Sequence, residues 1–156
     1  MKKLLLIINP VTAKQTVSPV LFDLIDRFEK GGYAVRVHIT QHKDDTQETV
    51  RRLGGEFDTV VCAGGDGTLN ETVSAVLELD RKPAVGYLPT GTTNDFAVSW
   101  GIPRKPLEAA DRIVSSDPVP TDVNLFCGRP YIYVAAFGAF TEASYSTPQT
   151  MKQNLG

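Results

Sequence analysis

The sequence lacks the features that mark several classes of protein. It has only two cysteines in 156 residues, Cys62 and Cys127, far apart and without metal-site spacing, so we expect buried, reduced thiols rather than a disulfide. The formal net charge of -2 shows no basic excess, so no nucleic-acid partner is expected. No apolar run approaches the roughly 18 residues that a membrane span needs.

The amino terminus, "MKKLLLIINP", combines two lysines with an apolar stretch, as a signal peptide does. That stretch runs only from Leu4 to Ile8, and no small-residue cleavage site follows it. We therefore interpret it as the first strand of a folded domain.

Short apolar runs alternate with amphipathic stretches along most of the chain. This pattern predicts a mainly parallel sheet with helices on both faces, a three-layer α/β/α, Rossmann-like domain. The strand at 33–40 alternates in polarity and is expected near a sheet edge, whereas the strand at 57–63 is apolar enough to be central. The other strands are expected at 3–8 and 83–89.

Helix signals separate these strands. Ser18 is a good N-cap residue with Pro19 at the first helical position, and the next helix is expected at 45–53. Thr68 and Glu71 have the spacing of a capping box, so a helix should begin after the glycine loop. Two further helices are expected at 96–100 and 106–114.

The alternation of strand and helix patterns ends after residue 114. The stretch "VNLFCGRPYIYVAAFGAF" predicts two β-runs joined at Gly128-Arg129-Pro130 in a hairpin. We divide the chain into a nucleotide-binding domain at 1–122 and the first strands of a truncated, β-rich second domain at 123–156.

Three loops, "NPVTAK", "AGGDGTLNE" and "LPTGTTNDFA", each follow a predicted parallel strand. The carboxyl ends of such strands meet at one edge, where these sheets bind ligands. Gly64, Gly65 and Gly67 should allow close backbone approach and positive φ, and the following helix start adds N–H donors. This indicates phosphate binding; the alternative is a tight turn whose glycines serve only the bend. The loop lacks the Gly-Lys-Ser/Thr of a Walker A motif, and Asn70 stands where a dinucleotide fingerprint needs glycine.

Asp66 stands inside this glycine loop, where a carboxylate should repel phosphate by about 1 kcal/mol or more at close range. That cost is offset if Asp66 holds a metal-bound water or accepts a hydrogen bond from a donor that arranges the loop. Asp66 and Asp95 together suggest a Mg²⁺–water network or the electrostatic organisation of a phosphoryl-transfer site. Asp122 is a third candidate, balanced evenly against simple turn chemistry after Pro120.

Two motifs in tandem carry a family resemblance. "GGDGTLNE" and "PTGTTNDFA", preceded by an "NP" turn and followed by "DV", resemble the catalytic domain of bacterial diacylglycerol kinases and their lipid-kinase relatives. The pair at this separation is specific to that group. The resemblance implies an NAD kinase/phosphofructokinase-like fold, ATP and Mg²⁺ as cofactors, and phosphorylation of diacylglycerol or a related lipid hydroxyl. A sphingosine-type kinase, an NAD kinase and a non-catalytic nucleotide-binding fragment stay open as alternatives.

Carried onto this sequence, the resemblance assigns nucleotide contacts to the three loops and places Thr40 beside the adenosine. Asp66, Asp95 and Asp122 match the family's acidic network around Mg²⁺, through water, and are the expected catalytic residues; the direct metal ligands are not predicted. Ala13 departs from the usual Ser-Gly pair and adopts positive φ less readily than glycine. The expected nucleotide contacts are Asn9, Pro10, Val11, Thr12, Ala13, Thr40, Gly64, Gly65, Asp66, Gly67, Thr68, Leu69, Asn70, Glu71, Gly91, Thr92 and Asn94.

The family's enzymes are about twice as long as this sequence. The resemblance implies that a second domain, a β-sandwich, supplies much of the lipid site, the general base and further Mg²⁺ ligands. We therefore expect the complete enzyme to be a kinase and this piece alone to be inactive. A cytoplasmic location is expected, with the inner face of the membrane, peripheral membrane contact and a homodimer as open possibilities.

Overall fold

A four-stranded parallel sheet forms the centre of the molecule. The structure, a computed structural model, describes residues 1–132, and within them the sheet has the strand order β2-β1-β3-β4. Residue Leu4 pairs with Val35 on one side and with Thr59 on the other. The strand at 33–39 is indeed an edge strand and the strand at 59–64 a central one, as predicted. The bounds are β1 Lys2–Ile8, β2 Tyr33–Ile39, β3 Thr59–Gly64 and β4 Ala84–Pro89.

Both faces of the sheet are covered by helices, which confirms the predicted three-layer α/β/α class. Alternate side chains of β1 point to opposite faces because the side-chain period of a strand is two residues. Leu4, Leu6 and Ile8 join one core cluster, and Leu5 and Ile7 join another. The helices are α1 Pro10–Ala13, α2 Leu21–Lys30, α3 Asp45–Leu53, α4 Asp66–Leu77, α5 Asp95–Ser99 and α6 Pro106–Ser115.

The packing explains which helix lies on which face. The first cluster is completed by α2, through Leu24 and Phe28, and by small side chains of α6. The second is completed by α3, through Val50, and by Ala75 and Val76 of α4. Burial of this apolar surface is the main stabilising contribution, at roughly 25 cal/mol per Å².

Two helix starts differ from the prediction. Ser18 makes no side-chain cap; it opens a 3₁₀ turn at Ser18–Val20, and α2 follows at Leu21. Helix α4 begins at Asp66 with Gly65 at the N-cap, so the capping box starting at Thr68 is wrong. Thr68 is instead the third residue of α4, where its hydroxyl accepts a hydrogen bond from another loop.

The chain then forms a short antiparallel hairpin, β5 Asn124–Phe126 with β6 Arg129–Tyr131. Its turn is Cys127–Gly128, with positive φ at both residues (49° and 74°), one step before the predicted joint. Cys127 is therefore exposed, against the prediction, whereas Cys62 is buried and both are free thiols. The rest of the second β-run, and the predicted domain from there to residue 156, lie outside the described residues. Among residues 1–132, no helix has both the length and the apolar character to cross a membrane.

Candidate functional site

Three loops meet at the carboxyl ends of β1, β3 and β4, as the parallel strands require. They enclose a cleft of about 770 Å³. The first loop follows β1, the glycine loop joins β3 to α4, and the third loop joins β4 to α5. The cleft is lined by Asn9, Val11, Thr12, Lys14, Gln15, Thr16, Gly65, Asp66, Gly67, Thr68, Glu71, Thr90, Gly91, Thr92, Thr93 and Asn94.

Side-chain hydrogen bonds tie the first loop to the other two. The Asn9 Nδ2 donates to Thr68 Oγ1 over 3.2 Å, and the Asn9 Oδ1 accepts from the Val11 backbone N–H. The hydroxyls of Thr12 and Thr90 lie 3.1 Å apart and are hydrogen-bonded. One hydroxyl of this pair donates to the other, so the second hydroxyl keeps a proton that it can donate elsewhere.

None of the three glycines of the second loop has positive φ, and only Gly64 and Gly65 serve close approach, which corrects part of the prediction. None of Gly64, Gly65 and Gly67 lies among the positive-φ residues of the described chain. A Cβ at Gly64 would lie 2.4 Å from the Thr68 side chain, and one at Gly65 would lie 3.4 Å from the Cα of Gly91. A Cβ at Gly67 would meet nothing within 4 Å, so this residue leaves space on the cleft side.

The Asp66 side chain connects the glycine loop to helix α5. Its Oδ2 accepts from the Asp95 backbone N–H (3.0 Å) and its Oδ1 from the Phe96 N–H (3.1 Å). The carboxylate thus caps the first turn of α5, where N–H groups have no partner within the helix. It also lines the cleft. The sequence left two explanations for this carboxylate, a metal-bound water and a hydrogen-bond donor that arranges the loop, and these two backbone N–H groups are such donors.

The three aspartates expected around Mg²⁺ do not converge on one point. Asp95 is half-buried at the start of α5 and meets Asp66 through its backbone, while Asp122 is exposed in the segment after α6. Neither lines the cleft. Across residues 1–132 these three form no group of ligand atoms close enough to bind a metal directly. Contact with Mg²⁺ through water molecules, which Mg²⁺ commonly keeps, stays a prediction for these three residues.

One group of possible metal ligands does occur in the described residues, at the start of α3: His42, Asp45 and Glu48. Asp45 is already occupied, because its carboxylate accepts from the Gln41 N–H, from Thr49 and from His38. Burial works to raise the pKa of Asp45, but these hydrogen bonds together outweigh it and lower the pKa.

The third loop is held by a side chain of its own, Asn94, and by Arg104 from the segment after α5. Asn94 has a left-handed backbone (φ 53°) and is buried. Its Oδ1 accepts from the Gly91 N–H (2.8 Å) and its Nδ2 donates to the Gly91 carbonyl (2.7 Å). Arg104 reaches back and donates to the Thr93 carbonyl over 3.2 Å. These bonds fix the loop before any ligand arrives.

The sequence comparison decides the family. The profile of the diacylglycerol kinase catalytic domain matches residues 3–125, which is most of the chain. The chain belongs to the diacylglycerol kinase catalytic domain family.

Relatives and solved structures agree with this family. The chain is 37% identical to a diacylglycerol kinase of Bacillus subtilis, covering 100% of this chain and 52% of the relative, and 36% identical to one of Staphylococcus epidermidis, covering 99% and 49%. A diacylglycerol kinase structure from Bacillus anthracis superposes with a TM-score of 0.75 at 26% identity, over 83% of this chain and 49% of that one. The chain spans about half the length of the curated relatives it matches.

The diacylglycerol kinase motifs predicted most of the cleft. The expected residues that line it are Asn9, Val11, Thr12, Gly65, Asp66, Gly67, Thr68, Glu71, Gly91, Thr92 and Asn94. Thr40 is buried at the end of β2, where its N–H donates to the Ile8 carbonyl. The expected residues that do not line the cleft are Pro10, Ala13, Thr40, Gly64, Leu69, Asn70, Asp95 and Asp122.

Five lining residues escaped the sequence reasoning: Lys14, Gln15, Thr16, Thr90 and Thr93. Lys14 is the only lysine or arginine among the described residues of the lining. Its position in the "NPVTAK" turn is a signal for phosphate binding, because this turn follows a parallel strand of the same sheet as the glycine loop. Glu71, like Asp66, is a half-buried acid of the lining, and burial, followed by the charge of Asp44, raises the pKa of Glu71.

Proposed function

We propose that this chain is the nucleotide-binding domain of an ATP-dependent lipid kinase that phosphorylates diacylglycerol or a related lipid hydroxyl. The observation that supports the proposal is that three loops meet around one cleft. The second of these loops leads directly into helix α4. The names of the relatives supply the acceptor, because the described residues offer no independent indication of it.

The cleft has the donors that a triphosphate needs. The first turn of α4 borders it through Gly65, Asp66, Gly67 and Thr68, and the N–H groups of a first turn lack partners within their helix. A helix amino end carries a partial positive charge that favours phosphate. Lys14 adds a full positive charge, and the Thr12–Thr90 hydroxyl pair adds a donor.

Asp66 can stand beside phosphates because its charge is already shared. Two backbone N–H groups of α5 donate to its carboxylate, which reduces the repulsion that a free carboxylate would exert on a phosphate. We propose Mg²⁺ as the second cofactor, which when bound to the nucleotide would neutralise phosphate charge. Asp66 would then hold one of its water molecules, and Asp95 and Asp122 stay predictions as further members of that network.

In this mechanism the chain's own residues position and stabilise, and bond-making chemistry is left to the reactants. The α4 amino end and Lys14 hold the phosphate chain, and the contact of the glycine loop with the third loop shapes the floor of the cleft. Such positioning accounts for most of the catalysis in phosphoryl transfer.

The remaining partners are part of the same proposal. Because the chain spans about half of its relatives' length, we expect residues 1–122 to bind nucleotide without transferring its phosphoryl group, and residues 123–156 to begin a second, lipid-binding domain. We propose that the protein is cytoplasmic and contacts the inner face of the membrane, where it would reach a lipid acceptor. The exposed Val98 (61%) and Trp100 (43%) on and just after α5 are apolar groups that could make such a contact. A homodimer stays a prediction.

Isothermal titration calorimetry with ATP, in the presence and absence of Mg²⁺, tests the nucleotide site. We expect the 156-residue chain to bind ATP and Lys14→Gln to weaken binding about fivefold, since one unit-charge contact is worth about 1 kcal/mol near water. Lys82→Gln is the matched control, because Lys82 is exposed and bonds to the Leu79 carbonyl. Absence of ATP binding, or equal effects of the two variants, would contradict the assignment of the cleft.

A transfer assay on the same sample, with diacylglycerol, a sphingoid base and NAD as acceptors, separates nucleotide binding from turnover. Nucleotide binding without transfer is the expected result. Transfer to the sphingoid base or to NAD would contradict the diacylglycerol assignment, and transfer to diacylglycerol would show that this chain suffices for the reaction.

A further inference from the structure

Tyr87 is a buried polar side chain that the proposed mechanism does not use. It lies in β4, between Gly86 and Leu88, and is only 4% exposed. Its hydroxyl donates to Asn94 Oδ1 over 3.2 Å. Its ring meets Phe96 of α5 edge-on, with the centroids 6.4 Å apart. Tyr87 therefore contacts both the third loop and the helix that follows it.

The hydrogen bond from Tyr87 to Asn94 is the first of three that connect Tyr87 to Gly91. The same Asn94 Oδ1 accepts the Gly91 N–H, and the Asn94 Nδ2 donates to the Gly91 carbonyl. The phenol thus orients the amide that fixes Gly91. Burial, and next the nearby charge of Asp66, raise the pKa of Tyr87, so its hydroxyl keeps the proton that it donates.

Gly91 is the point at which the third loop touches the glycine loop. A Cβ placed on Gly91 would lie 2.7 Å from the Cα of Gly65, so the two backbones are in direct contact. Both residues line the cleft. A shift of Gly91 would therefore change the shape of the cleft floor.

We propose that Tyr87 is a positioning residue for nucleotide binding: its hydroxyl holds Asn94, and through it Gly91, so that the third loop stays closed against the glycine loop. This inference rests on the proposed function, because it assigns a supporting residue to the same cleft. A tyrosine that served only as core filler would act through its ring, and its hydroxyl would be dispensable.

Tyr87→Phe tests the hydroxyl alone, since it keeps the ring contact with Phe96 and leaves Asn94 Oδ1 bonded to the Gly91 N–H. We expect ATP to bind about three- to tenfold more weakly, and the Gly91 amide to exchange with solvent faster by a similar factor, because a hydrogen bond of ordinary net strength is lost. Tyr33→Phe is the matched control. Tyr33 is also a buried tyrosine, but it lies at the amino end of β2, whereas the cleft lies at the carboxyl ends of the strands.

The measurements are ATP affinity by calorimetry, Gly91 exchange by NMR without nucleotide, and thermal unfolding of both variants. A selective loss of affinity in Tyr87→Phe, with faster Gly91 exchange and a melting temperature close to that of Tyr33→Phe, supports the inference. Unchanged affinity in Tyr87→Phe, with or without altered exchange, or an equal loss in Tyr33→Phe, overturns it. If the wild-type chain binds no ATP, the proposed function itself fails and this inference falls with it.

Discussion

Replacing Asp66 by alanine should destabilise the fold as well as alter the cleft. The carboxylate accepts two hydrogen bonds from the first turn of α5, at 3.0 and 3.1 Å, and both are lost in Asp66→Ala. Loss of a side-chain cap costs about 0.5–2 kcal/mol, and hydrogen bonds to a charged group are at the strong end of the range. Because the site is only partly buried, water can replace part of this loss, so we expect about 2 kcal/mol.

For a chain of 156 residues, each kcal/mol lowers the melting temperature by roughly 2–4 °C, so Asp66→Ala should melt about 4–8 °C below the wild type. Asp66→Asn should lie between the two, because its amide keeps one acceptor but turns an NH₂ group toward the second N–H donor. Thermal unfolding followed by circular dichroism measures both shifts, with the exposed Asp80→Ala as the control.

A second readout reports on α5 itself. Trp100 is the only tryptophan in the sequence, and its ring stacks on Phe96 with the centroids 5.6 Å apart. Since Phe96 donates its backbone N–H to Asp66, the emission of Trp100 should change in Asp66→Ala well below the melting transition. A melting temperature within about 1 °C of the wild type, together with unchanged Trp100 emission, would refute the capping role.

Three further predictions follow from single contacts. Gly67→Ala should melt at or above the wild-type temperature but bind ATP more weakly. Gly91→Ala should instead lose about 1–3 kcal/mol of stability, because its Cβ would overlap the neighbouring loop. Calorimetry measures the loss of ATP binding, and urea unfolding measures the loss of stability. Glu71 is protonated more readily in the folded state, so its contribution to stability falls as the pH rises through its raised pKa. Glu71→Gln should therefore be more stable than the wild type at pH 7, with a gain that disappears below the ordinary value of 4.5; a constant gain across pH would contradict this. Asp45 has a lowered pKa, so Asp45→Asn should cost stability at pH 7 and progressively less as acid protonates the wild-type carboxyl below 3.8; melting curves across pH would expose a cost that does not shrink.

The sheet could be predicted from the sequence because it depends on local patterns. The alternation of polarity at 33–39 indicated an edge strand, and the apolar run ending at Gly64 indicated a central one. Since parallel strands end at the same edge, the meeting of the three loops followed from the order of the elements alone. The hairpin turn was misplaced by one residue because "CG" gives a weaker signal than the Asn-Gly or Asp-Gly pairs that dominate such turns.

The details of the site depend on contacts between residues far apart in the chain, and these could not be predicted. Thr68 has capping-box spacing, but its hydroxyl is taken by Asn9, 59 residues away. Gly65 needs no positive φ; it is small because Gly91 lies against it. Local rules describe what a residue can do, and the tertiary neighbour decides which possibility is used.

Asp66 shows that a sequence can indicate the kind of contact a residue makes without identifying its partner. From the sequence, a carboxylate in a phosphate loop called for a metal-bound water or for a hydrogen-bond donor that arranges the loop, but the sequence did not identify that donor. The structure identifies the donors as backbone N–H groups in the first turn of α5, which begins 29 residues later. A carboxylate fixed in this way connects the glycine loop to the third loop and has its charge partly compensated before nucleotide or Mg²⁺ arrives. A loss of kinase activity in Asp66→Ala would therefore not by itself identify a catalytic group, and only activity measured well below each variant's melting temperature can separate the two roles.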